Sequence, residues 1–176
     1  MRLYLVRHPR PAGAEGLCYS RTDLPLAEPL CAQTVAALRA RIPDDVPCYT
    51  SPLQRCRLLA EALHPAPVAD ERLMEMDFGD WEMQPWDRIP RHELDAWAAD
   101  PLAYMPPRGE SVTQLQARIG AFLRERAEAP ALLLVTHGGI MKWLAGLAGE
   151  EPPAVWQARR FAFGELLILD QALSHS

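Results

Sequence analysis

The chain predicts an α/β fold: a three-layer α/β/α sandwich with a mostly parallel central sheet, built by residues 1–176 as one domain. Three observations carry this. Strand-like apolar runs alternate with segments of helical periodicity, the order that builds a parallel sheet covered on both faces. The run Ala131–Thr136 (ALLLVT) is apolar without alternation, as a strand buried on both faces must be. Apolar residues make up 49% of the chain, enough to fill such a core.

Residues 1–6 (MRLYLV) read as the first strand, and Arg7 to Leu26 as a loop rich in proline and glycine. Cys31, Val35, Leu38 and Ile42 recur at helical spacing and predict a helix over 30–42. Asp44–Thr50 reads as a second strand, with Pro47 marking its start or an edge position. "SPLQRCRLLAEAL" then opens a helix: Ser51 caps it, Pro52 suits its first position and Gln54 completes a capping box. Residues 66–110 are rich in proline and tryptophan and read as irregular, apart from a short helix near Arg91–Ala99. Ser111 and Gln114 repeat the capping pattern ahead of a stripe of Val112, Leu115, Ile119 and Phe122. After the strand 131–136 come a Gly138-Gly139 turn, a helix over Ile140–Leu147 and a late strand over Phe161–Leu169.

Charge and composition exclude several classes. The net charge of -5 argues against a protein that coats nucleic acid. No apolar stretch approaches the length of a membrane span, and Met1 leads into a strand rather than a signal peptide. Cys18, Cys31, Cys48 and Cys56 lack the spacing of a zinc knuckle or redox motif, so reduced thiols and a cytoplasmic location are expected. Lys142 is the sole lysine among 18 basic residues. Arginine grips phosphate or carboxylate with a planar fork, but this bias reads first as compositional.

Three predicted strands end in chemistry. The first delivers Arg7 and His8, the second Ser51-Pro52 and then Arg55, and the central one His137 followed by Gly138 and Gly139. In a parallel sheet these ends open on one crevice. Two arginines, two histidines and helix N-termini there suit a dianion, with phosphate the obvious candidate. A neutral histidine can attack phosphorus, and a protonated carboxyl of "EMDFGDWE" (Glu75, Asp77, Asp80 or Glu82) can serve the leaving group.

The segments "LVRHPRP", "CYSRTDLPL", "TSPLQRCRLLAEAL", "LMEMDFGDWE", "GESVTQL" and "LLVTHGGIM" occur in this order over nearly the whole chain. Together they resemble the histidine phosphatase, or phosphoglycerate mutase-like, superfamily, and within it are most similar to the α-ribazole phosphatase branch of cobalamin assembly. The resemblance implies a phosphoglycerate mutase-like fold, no cofactor and no metal. It implies a small phosphate monoester as partner, with neither nucleic acid nor membrane. It makes His8 the nucleophile that becomes phosphohistidine, Glu75 the proton donor, and Arg7, Arg55, His137 and Gly138 parts of the phosphate pocket. Arg21 is implied near the pocket mouth. The family pattern is Arg-His-Gly-Glu-Thr where this chain has "RHPRP", so Pro9 replaces a glycine and Arg10 an acid; Arg10 is expected to make the mouth more positive. Met83 stands where glycine is common.

Each residue also has a plainer reading. His64, His92 and His175 read as surface residues, Arg108 and Glu110 as a pair or cap, and Glu82 as the main competitor of Glu75. The aromatic residues Trp81, Trp86, Trp97 and Tyr104 read chiefly as core, with one at most meeting substrate. The competing functions are a broad-specificity phosphatase, a phosphoglycerate mutase (disfavoured by the short chain), a non-catalytic phosphoryl-binding relative, and a metal hydrolase, for which no HxH or HExxH pattern exists. The sequence says nothing of oligomeric state.

Overall fold

The computed structural model describes residues 1–170. His175, read above as a surface residue, lies outside the described residues. Five strands form the central sheet: β1 (Arg2–Arg7), β3 (Cys48–Thr50), β4 (Val68–Ala69), β6 (Ala131–Thr136) and β7 (Leu166–Asp170). Their order is β4-β3-β6-β1-β7, parallel throughout except for β7, which runs antiparallel to β1 at the edge. A separate two-stranded piece joins β2 (Leu17–Cys18) to β5 (Gln84–Pro85).

Alternation hidden inside the apolar runs divides the core in two. Leu3, Leu5, Leu132 and Leu134 face one layer, where they meet Leu115, Ile119 and Phe122 of α4 (Val112–Arg124) and Ile140, Met141 and Leu144 of α5 (Gly138–Ala148). Tyr4, Val6, Leu133 and Val135 face the other, against Leu38 of α1 (Ala32–Arg39) and Cys56, Leu59 and Leu63 of α2 (Gln54–Leu63). A strand with helices on both faces needs apolar side chains at both phases of its period, which is why β6 shows no polar residue before its last, Thr136.

The sequence reading differs from the structure in several elements. First, α2 starts at Gln54, and Ser51 is not its cap. The Gln54 amide instead donates to Asp23 Oδ1 at 2.7 Å, so a loop distant in sequence caps the helix and frees Ser51 for another partner. Second, the late strand begins at Leu166 rather than Phe161, because Gly164 turns the chain at φ +74° and sends Phe161 and Phe163 toward the sheet's carboxyl end. Third, β4 and β5 lie within the span read as irregular, β2 lies within the segment read as a loop, and the strand read over Asp44–Thr50 is limited to Cys48–Thr50. Fourth, α6 (Pro153–Ala158) had no counterpart in the reading; α3 (Arg91–Ala99) did. At Ser111 the capping box is present as read, with both reciprocal hydrogen bonds.

Met83 has φ +62°, and its amide donates to Cys18 O at 2.6 Å. This left-handed backbone explains why glycine suits the position, since a side chain there costs about 1–2 kcal/mol. Cys18, Cys48 and Cys56 are buried free thiols and Cys31 is exposed. Among the described residues no helix is long and apolar enough to cross a membrane.

Candidate active site

The register of the sheet sets the site. Arg7 pairs with Thr136, and Thr50 with Val135, so His8, His137 and Ser51 each follow the last paired residue of three neighbouring strands. The His8 and His137 rings lie 5.1 Å apart, edge to face. They line a cavity of about 550 Å³ together with Arg7, Arg55, Tyr19, Glu75, Gly138 and Gly139.

Both arginines are fastened from behind. Arg7 Nη1 donates to Phe161 O at 2.5 Å, and its guanidinium stacks 4.0 Å from the Phe163 ring. Arg55, fully buried on the first turn of α2, donates Nη1 to Thr22 O at 2.8 Å and Nη2 to Ser20 O. Neither meets a carboxylate among the described residues. Their Nε–H groups have no partner, and neither does His137 Nδ1. Buried donors without acceptors are costly. Here three of them belong to residues that line one cavity, and an anion with several oxygens would satisfy them together.

The tautomers follow from the hydrogen bonds. His8 Nδ1 lies 2.6 Å from Pro9 O, which can only accept, so Nδ1 carries the proton and Nε2 holds the lone pair. Proline lacks an N–H but keeps its carbonyl, so the exchange of glycine for Pro9 leaves this contact intact. Burial, reinforced by Arg55 and Arg7, pushes the His8 pKa down to about 3, and the ring is neutral near pH 7. His137 is likewise held well below its ordinary value by burial and by neighbouring cationic groups. Its Nε2 lies 2.9 Å from Ser51 Oγ; with that hydroxyl donating to it, His137 carries its own proton on the unpartnered Nδ1.

Two buried neutral histidines make stability depend on pH. The unfolded chain takes up protons near pH 6.5, whereas folded His8 resists them until about pH 3. Stability is therefore full above pH 6.5 and falls as pH drops through that window, by about 1.4 kcal/mol per pH unit for each such group. In phosphate-free buffer, urea unfolding of the wild type should show this acid slope between pH 6.5 and 4.5, and His8→Gln should reduce it by that amount. An identical slope in the variant would refute the assignment.

Glu75 enters from the segment after β4. Its Oε2 accepts from Gly139 N at 2.8 Å, at the start of α5, and its Oε1 from Met76 N at 3.1 Å. A Cβ at Gly139 would collide with Glu75 Oε1, so only glycine lets the carboxyl lie there. Gly139→Ala should displace the carboxyl while leaving the fold intact, because the crowded atom is the end of a flexible side chain. A loss on the order of 10²-fold in kcat on an alkyl phosphate is expected, with thermal stability nearly unchanged. Unaltered kinetics would show that Glu75 need not occupy this position.

A sequence profile of the histidine phosphatase superfamily (branch 1) matches residues 3–173. The chain belongs to that superfamily. This phosphatase or mutase is 29% identical over 174 residues to the adenosylcobalamin/alpha-ribazole phosphatase of Salmonella typhimurium, covering 90% of this chain and 85% of the relative. It is 33% identical over 151 residues to a Klebsiella pneumoniae protein named "Probable phosphoglycerate mutase GpmB", covering 78% of this chain and 70% of the relative. Its fold matches a crystal structure of phosphoglycerate mutase from Thermus thermophilus with a TM-score of 0.77, at 28% identity over 97% of this chain and 93% of that one.

Two of the expected site residues do not line this histidine phosphatase's cavity. Arg10 is exposed, 5.3 Å from the centre of the Phe163 ring, and borders a separate cavity of about 210 Å³ with Pro29 and Cys31. Arg21 is occupied by acids, 3.5 Å from both Asp77 and Glu110, and its Nε donates to Glu75 O at 3.4 Å. It braces the chain that carries Glu75. Glu82, the competing carboxylate, lies outside the cavity lining. It accepts from Ser20 N (2.8 Å), Thr22 N (2.9 Å) and Ser20 Oγ (2.5 Å). Burial alone would raise its pKa, but these hydrogen bonds hold it below the usual value. Since Ser20 and Thr22 supply the carbonyls that grip Arg55, Glu82 acts on the phosphate clamp from behind.

His92 is exposed, as read, and His64 is half-buried; neither lines the cavity. Arg108 pairs with Asp80 at 2.6 Å and Glu110 with Arg118 at 2.7 Å. Of the aromatic residues, Trp81 and Tyr104 are stacked on each other, and Trp81 donates to Glu93 at 2.5 Å. Trp86 and Trp97 both line the cavity, stacked 6.3 Å apart with Phe78 edge-on to each. Sequence reasoning missed Tyr19, Arg118, Lys142 and Arg160. Arg118 donates Nη2 to Glu75 O at 3.1 Å, yet nothing in its local helical pattern marks it.

Proposed function

We propose that this chain is a metal-independent phosphomonoesterase working through a phosphohistidine at His8, with α-ribazole 5′-phosphate as its substrate. The observation that carries the reading is the set of unpaired donors of Arg7, Arg55 and His137 in the same cavity as the bare Nε2 of His8. With phosphate oxygens on those donors, Nε2 attacks phosphorus and the bond to the leaving oxygen breaks. Glu75 gives that oxygen its proton, and the alcohol departs. Water then attacks the phosphohistidine, Glu75 takes its proton, and orthophosphate leaves with His8 restored.

The substrate reading draws on the aromatic wall. Trp86, Trp97 and Phe78 offer flat apolar surface to a ring. A benzimidazole riboside phosphate suits that wall better than the small, hydrophilic phosphoglycerates, and the name of the Salmonella relative points the same way. Metal independence is supported by the cations of the lining, which repel a divalent ion. Among the described residues no group of three His, Cys, Asp or Glu is placed to hold one.

Two assays test this. Hydrolysis should persist in excess EDTA and be inhibited competitively by vanadate, a mimic of five-coordinate phosphorus. In a panel of phosphate monoesters, α-ribazole 5′-phosphate should give the highest kcat/KM. Activity lost to chelator and restored by a divalent ion would overturn the mechanism, and a higher kcat/KM for 3-phosphoglycerate would overturn the substrate.

A further inference from the structure

Glu75 sits on a stretch of backbone that has no regular structure to hold it. Residues 74–78 lie between two single 3₁₀ turns, Glu71–Leu73 and Gly79–Trp81, outside every strand and helix. The carboxyl oxygens of Glu75 are fixed by the amides of Gly139 and Met76. Those bonds place the carboxyl only as well as the backbone behind it is placed.

One ion pair holds that backbone. Arg118, on α4, donates Nη2 to Glu75 O at 3.1 Å and Nη1 to Arg72 O at 2.5 Å. The same guanidinium grips Glu110 as a fork, Nε to Oε1 at 2.7 Å and Nη2 to Oε2 at 2.8 Å. Glu110 also accepts the Asp77 amide on Oε2 at 3.3 Å, and its own amide donates to Asp77 O at 2.8 Å. Main-chain groups of residues 72, 75 and 77 are thus tied to a single pair. Both side chains are largely buried, and neither lines the cavity. A guanidinium held at two points by a carboxylate has its plane fixed, so Glu110 keeps Arg118 aimed at Glu75 O. Desolvation offsets much of the attraction in such a pair, so stability is a poor account of it. Its geometry is the better one.

We propose that Arg118 and Glu110 are positioning residues for the proton donor: the pair fixes the backbone at Glu75 and thereby sets where the carboxyl meets the departing oxygen. The proposal rests on the reading of Glu75 as that donor. It differs from the part played by Glu82, which acts on the phosphate clamp.

Rapid quench gives the rate of phosphoenzyme formation on an alkyl phosphate and on p-nitrophenyl phosphate, and the readout is the ratio of the two on one enzyme sample. That ratio does not depend on the fraction of folded enzyme, so a variant that folds poorly still reports. Removing one member of a buried pair strands the other. Arg118→Gln is therefore measured beside Arg118→Gln/Glu110→Gln, which removes both charges. In each, the alkyl rate should fall about 10²-fold, the cost of an ångström-scale misplacement, and the nitrophenyl rate far less. Affinity for inorganic phosphate, read by calorimetry, should be retained, because Arg7, Arg55 and His137 are untouched. In a Glu75→Gln background, Arg118→Gln should add no further loss on the alkyl phosphate. A ratio at the wild-type value, or a loss that appears as weaker phosphate binding, would mean a merely structural role and overturn the proposal. So would losses from Arg118→Gln and Glu75→Gln that multiply in the combined variant. A Glu75→Gln enzyme with an unchanged ratio would instead overturn the proton-donor reading, and the positioning role with it.

Discussion

His8→Ala should abolish phosphate ester hydrolysis, with a loss of roughly 10⁴-fold or more, while circular dichroism reports an unchanged fold. The size follows from how many features of the site serve one atom. Pro9 O takes the Nδ1 proton, burial keeps the ring neutral, and both leave a lone pair on Nε2 within the cavity that holds Arg7, Arg55 and His137. No neighbour can replace it: His137 has its Nε2 bound to Ser51 and presents a proton on Nδ1. Rapid quenching of the wild type with labelled substrate should trap a phosphoenzyme that acid hydrolyses and base preserves, as a phosphoramidate bond requires. In His8→Ala no label should remain. A label that survives acid would identify a serine or threonine ester and end the phosphohistidine reading.

Glu75→Gln should give the second largest effect, and one that depends on the leaving group. A sugar alkoxide is a strong base and needs a proton as it departs, whereas nitrophenolate does not. The substitution keeps the side chain's size and removes the transferable proton. It should lower kcat on an alkyl phosphate by roughly 10²–10⁴, with a far smaller loss on p-nitrophenyl phosphate. Rapid quench should follow phosphoenzyme formation directly, so that slow hydrolysis of phosphohistidine does not mask the contrast. Glu82→Gln is the control, and the structure says how it should differ. Glu82 holds Ser20 and Thr22, whose carbonyls hold Arg55, so its loss loosens the phosphate clamp. Both substrates carry the same phosphate and should suffer alike. A leaving-group contrast at Glu82, with uniform losses at Glu75, would reverse the two roles.

Much of the fold was legible in the chain because its signals are local. The capping box at Ser111 and Gln114 is read from residues three apart, and helical spacing located α1 and α4. The apolar run of β6 implied helices on both faces before any packing was known. Strand ends were legible too: once β1, β3 and β6 are parallel neighbours, Arg7, His8, Arg55 and His137 must open on one crevice.

Tertiary structure alone decided what depends on partners far apart in sequence. Asp23, not Ser51, caps α2, because the 20s loop folds over its N-terminus and Ser51 turns to His137. Arg10 and Arg21 carry the right charge in promising segments, yet one borders a separate cavity and two acids occupy the other. Glu75 and Glu82 are seven residues apart with the same functional group, and only their amide partners separate an acid in the cavity from a brace outside it. Lys142 of α5 and Arg160, just after α6, come to line one cavity. Local sequence sets where a helix begins and which face is apolar, since those depend on bonds and spacings within a few residues. The environment of a charged side chain depends on groups brought close by the whole fold, and the sequence around it carries almost no record of them.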